Sequence, residues 1–472
     1  TSDAKISGSA TSTGSFGSIQ MPGLSIGDQS NVILGKNAGN AISSGDVNNV
    51  LIGENAGLSI NAGEGNAIIG FSAGDALTSG DLNTAVGYFA LSTSTDVDRV
   101  VAIGTEAMEA GNVTSAADGT VAIGSKALQN LTTGEKNIAI GFEALKTATE
   151  LDDNVAIGYR ALKVASGSAG KGRNIAIGTL AGKAITSGEF NVLIGRSAGD
   201  QQTTANANTY MGYFAGYNTI SGSENVFIGR QAGYEFRNAN SPYNVYVGSF
   251  AGYHNRTGRY NTYLGGAAGF GASGNSHNNN VGVGTSALND VTTGGDNVAI
   301  GSFVAAKLTT GVHNVFIGKT AADDMVEGSY NIAIGSDALG GLKDSTADAS
   351  QFNIFMGVSS GNGAWVTAVS QYNIGIGHYT LDAAMNGAVN NTTVGHESLG
   401  AITTGDSNAA LGYYAGNALT TGHSNVIIGE NAGSTATTQL TNSVMVGNDA
   451  GQTAISANHV FIGDHAGYSA VA

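Results

Sequence analysis

A short apolar run bounded by asparagine and glycine recurs along almost the whole chain. It reads Asn-Val-Ala-Ile-Gly at 154–158, and close relatives of it occur 25 times between Asn31 and Gly463. Of the 24 intervals between successive run-ending glycines, 14 are 17 residues long, and the others range from 16 to 22. A fixed short period is the signature of a solenoid, in which every repeat adds one unit to a stack.

Each repeat, numbered from its asparagine as position 1, predicts one coil of a β-solenoid. Positions 2 to 4 are mostly β-branched or apolar, and a run this short favours a strand over a helix. Glycine at position 5 permits a positive φ or a close backbone approach. A second short strand is expected through the small residues at positions 8 and 9, such as Ala198-Gly199. We therefore predict an all-β fold, a parallel β-roll of about 25 coils of 17 residues stacked at strand spacing, about 4.8 Å.

The apolar residues at position 3 lead to a prediction about assembly. If positions 2 and 4 point into the coil, position 3 points outward, yet only Thr393 is plainly polar there. A strand that is apolar on both faces is buried on both faces. We therefore expect this face to lie on the axis of a parallel homo-oligomer, for which three chains are the natural closed arrangement, although the sequence does not fix the number. The expected axis residues are Ile68, Ala139, Tyr210, Phe227, Tyr246, Tyr263 and Phe316.

Asparagine at position 1 has two structural explanations. It is present in 21 of the 25 repeats, where stacked side chains can form an amide ladder between coils. Asparagine also tolerates turn conformations better than most residues do. The sequence alone does not decide between the two.

The chain divides into an N-terminal segment, residues 1–22, and a repeat shaft, residues 23–472. The segment is rich in Ser, Thr and Gly, which favours a linker or adaptor to an upstream tail or anchor protein. The shaft opens on a partial first coil at 23–27, and its longest insertions lie at 336–376. Insertions in a solenoid form loops, often on a binding face, so Trp365 is either a receptor contact or a plug beneath its own loop.

Composition excludes several classes of partner. The formal net charge is -16 at pH 7, and no basic patch is present to follow a phosphate backbone, so we expect no nucleic-acid binding. No apolar run in the sequence is long enough to cross a bilayer as a helix, so we expect no membrane insertion. Cysteine is absent, which excludes disulfide bonds and is compatible with the cytosol, a virion or a bacterial surface.

Motifs for catalysis and cofactor binding are missing from the sequence. The 8 histidines belong to no metal-binding or nucleophile motif, and the glycine-rich turns lack the Lys-Ser/Thr of a phosphate loop. We therefore predict no catalytic, cofactor-binding or metal-binding residues and no enzyme activity. Acidic pairs such as Asp323 and Asp324 are compatible with solvated turn charges and with calcium binding.

Aromatic residues are concentrated in one part of the shaft. Fourteen of the 33 aromatic side chains lie between Tyr210 and Phe270, both included. Four of them occupy position 3 and belong to the predicted oligomer axis. Four others each follow an Ala-Gly pair in consecutive repeats and form a second ladder, where exposed rings and nearby arginines would suit a glycan. The candidate receptor contacts are Tyr217, Tyr234, Tyr253, Phe270, Arg256 and Trp365.

Repeats of the form Asn-Val-Ala-Ile-Gly…Ala-Leu…Thr-Thr-Gly, seen at 137–145 and 297–311, resemble the head repeats of trimeric autotransporter adhesins. They resemble the similar repeats of bacteriophage tail fibres more closely, because adhesin heads usually have shorter units. The resemblance covers Asn31 to the C-terminus. It implies a left-handed parallel β-roll assembled as a homotrimer that serves attachment.

We therefore expect the shaft of a trimeric attachment fibre in a virion, which presents a binding surface for a host glycan or protein receptor. A stiff rod would hold that surface away from the particle, and three chains would strengthen weak contacts by multivalency. The alternatives are a bacterial cell-surface adhesin or extracellular filament subunit, and a polysaccharide depolymerase. Ice binding by a threonine array is a further rival, but at most three consecutive coils carry the Thr-Thr pair.

Overall fold

The computed structural model describes most of the repeat region, in two compact units at residues 1–189 and 190–472. The predicted linker at 1–22 lies outside the described residues, as do parts of the long insertions at 336–376. The described residues are 24–26, 31–43, 45–111, 113–114, 117–167, 171–237, 242–274, 276–342, 349–365, 368–436, 439–454 and 456–469.

Each repeat contributes one three-residue strand at positions 2 to 4, as its apolar run predicts, and one further strand precedes the first repeat. The described residues contain no α-helix. The strands are β1 Leu24–Ile26, β2 Val32–Leu34, β3 Val50–Ile52, β4 Ala67–Ile69, β5 Thr84–Val86, β6 Val101–Ile103, β7 Val121–Ile123, β8 Ile138–Ile140, β9 Val155–Ile157, β10 Ile175–Ile177, β11 Val192–Ile194, β12 Thr209–Met211, β13 Val226–Ile228, β14 Val245–Val247, β15 Thr262–Leu264, β16 Val281–Val283, β17 Val298–Ile300, β18 Val315–Ile317, β19 Ile332–Ile334, β20 Ile354–Met356, β21 Ile374–Ile376, β22 Thr392–Val394, β23 Ala409–Leu411, β24 Val426–Ile428, β25 Val444–Val446 and β26 Val460–Ile462.

Successive strands pair in parallel, with equal positions facing each other. In the first unit β2 to β10 stack in chain order. In the second unit β11 to β26 do the same. β1 pairs antiparallel with β2, so the partial parallel coil expected at 23–27 is wrong. An antiparallel strand here covers the edge of β2, and covered edges resist edge-to-edge association.

The second half of each coil is a series of turns, and the second strand expected there does not form. Residues at positions 7 and 9 have positive φ, as in Glu143 at 54° and Leu145 at 49°, which an extended strand does not allow. Hydrogen bonds still connect these turns between coils, for example from the N–H of Gly216 to the carbonyl of Ala232 at 2.9 Å. The stack is therefore hydrogen-bonded along both halves of the coil.

Position 3 points into the coil, opposite to the direction that we expected from the sequence. Nearly all of its side chains are buried within a single chain, whereas positions 2 and 4 are half-exposed or exposed. The side chains do alternate between the two faces of the strand, but position 3 faces inward, and the residue across the coil leaves room for its side chain. The assignment of position 3 to an oligomer axis is therefore wrong. It concerns Ile68, Ala139, Tyr210, Phe227, Tyr246, Tyr263 and Phe316, each 0% exposed.

The residues at positions 3 and 9 of the same coil complement each other in size: with few exceptions, one is large where the other is small. Where position 3 is large, position 9 is usually glycine, and a Cβ on Gly74 would lie 2.7 Å from Cδ1 of Ile68. Where position 3 is alanine, position 9 supplies the volume, as Leu145 does with Ala139. Total volume is thereby kept nearly constant, as a close-packed interior requires. The apolar character of position 3 thus reflects the core of one chain.

Asparagine at position 1 forms the amide ladder, the first of the two explanations above. Asn297 Nδ2 donates to Asn280 Oδ1 at 3.1 Å and to the Gly311 carbonyl at 2.8 Å. Asn297 Oδ1 accepts hydrogen bonds from the N–H and Nδ2 of Asn314 at 3.0 and 2.9 Å. The side chain is fully buried and yet satisfied, so it ties one corner of the coil to both neighbours.

The four aromatic residues at position 3 of β12 to β15 form one ladder, as predicted, but inside the coil. The ring centroids of Tyr210, Phe227, Tyr246 and Tyr263 are 4.8, 4.7 and 5.3 Å apart in order. The buried hydroxyl of Tyr263 lies 2.8 Å from Nδ1 of His277. Burial lowers the pKa of His277 to about 3, so this imidazole is neutral and part of the core.

Candidate functional site

Positions 2 and 4 form an apolar surface, here named the outer strip, on the outside of each unit. Position 4 is Val, Ile, Leu or Met in every repeat, and position 2 is Val or Ile in all but six. Because the strands pair in register, these side chains stack in two columns along β2–β10 and along β11–β26. Their exposure is substantial, at 37% for Met356 and 51% for Leu411. Continuous exposed apolar surface of this extent marks an interaction site.

Positions 7 and 10 form a second surface, here named the mosaic face, whose chemistry changes from block to block. It is charged around 143–163, aromatic around 214–270, and both acidic and aromatic around 379–417. Clefts open along it in the first unit beside Asp75 and Phe89 and in the second beside Asp382 and Glu397. The mosaic face therefore carries the specific chemistry that the outer strip lacks.

The charged block is centred on Glu143, whose side chain is only 9% exposed. Its carboxylate lies 3.1 Å from Lys146 Nζ, 2.8 Å from Arg160 Nε and 2.9 Å from Lys163 Nζ. Burial opposes the charged carboxylate, but hydrogen bonds from the three cations outweigh it and lower the pKa of Glu143 to about 2. Residues of adjacent coils are thereby joined in one ionic network.

The structure brings together the aromatic ladder that the sequence places after the Ala-Gly pairs. The centroids of Tyr217, Tyr234, Tyr253 and Phe270 are 5.3, 5.0 and 5.3 Å apart, with interplanar angles of 7°, 9° and 15°. All four side chains are half-buried. Because each ring covers the face of its neighbour, edges and hydroxyls are presented to solvent. Stacking of a sugar on the face of an inner ring, the contact expected from the sequence, is therefore not available.

The other two predicted receptor contacts, Arg256 and Trp365, are not members of this aromatic ladder. Arg256 lies beside this ladder, with Nε 3.4 Å from Oε2 of Glu235. Trp365 is fully buried, and its ring packs edge-on against Phe355 with centroids 5.8 Å apart. Trp365 as an exposed contact is therefore wrong, and the indole plugs the interior of its own coil.

An acidic cleft of about 300 Å³ in the second unit was not predicted from the sequence. Glu397 accepts hydrogen bonds at Oε1 from the Tyr414 hydroxyl, at 3.1 Å, and at Oε2 from Asn417 Nδ2, at 3.2 Å. Asp382 lies in the same cleft, and Tyr379, 41% exposed, lines it. Burial, reinforced by the negative charge of Glu397, raises the pKa of Asp382 to about 6. The cleft thus holds two carboxylates in different environments next to an aromatic ring.

A second aromatic ladder, which is exposed and occupies the residue directly before the asparagine of the next coil, was also missed. The rings of His313, Tyr330, Phe352 and Tyr372 stack with centroids 4.9, 5.1 and 5.2 Å apart. The last three are 48%, 40% and 52% exposed, and all four residues have positive φ. Aligning the repeats on the asparagine that opens the next coil would have revealed this column, because each member directly precedes that asparagine.

Metal binding finds no support among the residues that the structure describes. No group of three or more His, Asp and Glu side chains in them is arranged to hold a metal ion. In the acidic pair at 323–324, Asp324 lies 2.7 Å from Lys307 Nζ. Burial, increased by the charge of Asp324, raises the pKa of Asp323 to about 6. Asp324 is thus ion-paired, whereas Asp323 is half-buried.

The described part of the chain contains no helix with the length and apolarity needed to cross a membrane. Comparison with models of known protein families gives no match, and comparison with curated proteins gives no significant relative. The features that bear on function are accordingly the two surfaces of the solenoid.

Proposed function

We propose that the chain is the shaft of a homotrimeric attachment fibre of the kind found in bacteriophage tails, located in the virion. The outer strip is the observation that carries this proposal. It joins the three copies on a common axis, while the mosaic face of each copy is directed outward to the host surface. The fibre acts by attachment, with no catalytic step, and residues 1–22 join it to an upstream tail protein.

The outer strip suits a second copy because it is uniform and parallel to the stack. Its larger side chains are half-exposed or exposed, and most of the exposed ones, such as Ile300 and Ile376 at 39%, retain roughly 40% of their surface. Completing the burial of a Val, Ile or Leu from that state stabilises by roughly 0.6–1 kcal/mol. Eleven such side chains lie on β11–β26 and together contribute roughly 7–11 kcal/mol, to which the half-exposed ones add, so burial of the strip can offset the roughly 4–15 kcal/mol that association costs. Parallel copies related by a closed symmetry axis present the same strip to one another along its length.

Sedimentation equilibrium of the full chain tests the assembly. We expect a trimer at micromolar concentration. A strip variant with Asn at Ile300, Met356, Ile376 and Leu411 should sediment as a monomer and keep its far-ultraviolet circular dichroism. A matched control with Asn at Tyr213, Ile220, Phe303 and Val358, which are equally exposed but lie off the strip, should remain trimeric.

Two results would count against the proposal. One is a monomeric parent chain at micromolar concentration, and the other is a strip variant that stays trimeric. Location is tested by immunogold electron microscopy of virions, and attachment by binding of the fluorescent protein to host cells. Release of reducing sugar from host polysaccharide by the purified protein would contradict the absence of a catalytic step.

A further inference from the structure

The acidic cleft is built by equal positions on successive coils. Asp382, Gly400 and Asn417 each occupy position 10 of their coil, and Tyr379 and Glu397 occupy position 7. Parallel stacking therefore places these side chains in two adjacent columns of the mosaic face. All of them lie in the second unit, next to β21–β23.

Gly400 creates the space between the polar groups. A Cβ at this residue would lie 3.3 Å from Oδ1 of Asn417 and 3.5 Å from the carbonyl of Tyr379. A longer side chain there would occupy the cleft between Asp382 on one side and Asn417 on the other. The polar groups thus surround an opening about the size of a small ligand, at the lower end of the usual range for such sites.

The polar groups are fixed before any ligand arrives. The Tyr414 hydroxyl and the Asn417 amide hold one oxygen each of Glu397, so the carboxylate is oriented and its free lone pairs remain available as acceptors. The backbone N–H of Asn362 donates to Asp382 from the preceding coil. A preorganised acceptor pair of this kind costs little further ordering when a ligand binds.

We propose that this cleft is a binding site for a neutral, hydroxyl-rich saccharide. The inference rests on the proposed attachment function and names the ligand class and its site. Sugar hydroxyls donate to the carboxylates of Asp382 and Glu397, and the half-exposed ring of Tyr379 contacts the apolar C–H face of the sugar. Two carboxylates disfavour an anionic ligand, so sialylated, uronate-containing and phosphorylated glycans are excluded.

The experiment uses the full-length protein on a glycan array that carries neutral, sialylated and uronate-containing oligosaccharides. Neutral oligosaccharides that are retained are then titrated calorimetrically. We expect the variants Asp382→Asn, Glu397→Gln and Gly400→Gln to raise Kd at least tenfold. Asp323→Asn is the matched control, because Asp323 is a half-buried aspartate at position 10 of another coil, and it should leave Kd unchanged. Circular dichroism of each variant verifies that it is folded.

Several outcomes would overturn this assignment. They are the absence of any neutral glycan ligand, retention of acidic glycans only, and unchanged Kd in the three cleft variants. Loss of binding in Tyr234→Ala with no effect in the cleft variants would place the ligand on the aromatic ladder instead. Sedimentation of the same samples separates the two proposals. A trimer that binds no neutral glycan overturns the site alone, whereas a monomer with cleft-dependent binding overturns the assembly alone.

Discussion

The volume match between positions 3 and 9 predicts that two damaging substitutions will rescue each other. In the coil of β4, Ile68 is fully buried and Gly74 has φ of 51°. Ile68→Ala leaves a cavity and should cost about 3–4 kcal/mol. Gly74→Leu drives a side chain into the space of Ile68 and should cost about 2–3 kcal/mol. The double variant reproduces the next coil, where Ala85 faces Leu91, itself at φ 57°.

We expect the double variant to lie within about 1.5 kcal/mol of the parent, so that the coupling energy is about 4 kcal/mol in size. The remaining cost comes from placing a non-glycine residue at positive φ. Opening of a long solenoid need not be two-state, so the measurement is hydrogen exchange by mass spectrometry on peptides that cover residues 60–95. These peptides report the local free energy of opening of the coil concerned.

The reciprocal exchange is the control. Ala139→Ile with Leu145→Gly converts an alanine–leucine coil into an isoleucine–glycine coil, and it should also be nearly neutral as a pair and costly as singles. If either double variant lost protection equal to the sum of its singles, the two side chains would not share one space. The arrangement of the core described above would then be wrong.

Three other perturbations test the amide ladder, the glycine at position 5 and the buried histidine. Asn297→Ala removes four side-chain hydrogen bonds in the buried ladder and should lower local stability by about 3–5 kcal/mol, again read by hydrogen exchange. Gly265→Ala forces a Cβ against the carbonyl of the next coil at φ 146° and should cost about 3 kcal/mol, whereas the adjacent Gly266→Ala, which meets open space, should change stability by less than about 0.5 kcal/mol. The pKa of His277, about 3 when folded and 6.5 ordinarily, means that only the unfolded chain takes up a proton between these values. Hydrogen exchange at the coil of His277 should therefore show the local stability falling as pH decreases from 6.5 towards 3, and His277→Asn should reduce that dependence.

The period and the strands could be predicted because a solenoid repeats its local chemistry in every coil. Which face of each strand points into the coil could not be predicted from the strand alone. Alternation fixes which residues share a face but not which face is inside, and both faces here are apolar. The deciding signal was in the sequence, at a distance of six residues: Tyr263 is followed by Gly269, whereas Ala139 is followed by Leu145. Only an interior location of position 3 explains that pairing.

The candidate sites were harder to predict for a related reason. Trp365 looked like a loop residue because the insertion disguises its place in the coil, yet it lies where other coils have a buried apolar side chain, such as Met325 or Met385. The acidic cleft joins Asp382, Glu397 and Asn417, which belong to three successive coils and are far apart in sequence. Alignment by coil position brings them into adjacent columns, but the opening between them depends on a missing side chain at Gly400 and on the shape of the turns.

The uniformity of the outer strip has a structural consequence for an assembly built on it. A shift of one chain by one coil, about 4.8 Å, restores nearly the same contacts, so the strip favours association without fixing the axial register. Register must then come from departures from the repeat. The 22-residue interval between Gly335 and Gly357 and the four-ring ladder from His313 to Tyr372 overlap in the second unit. No other interval is as long, and the only other stacked aromatic column at this position among the described coils is the pair Tyr243 and Tyr260. This irregular stretch, which the repeat pattern does not predict, is thus the part of the chain that can specify one axial register between the copies.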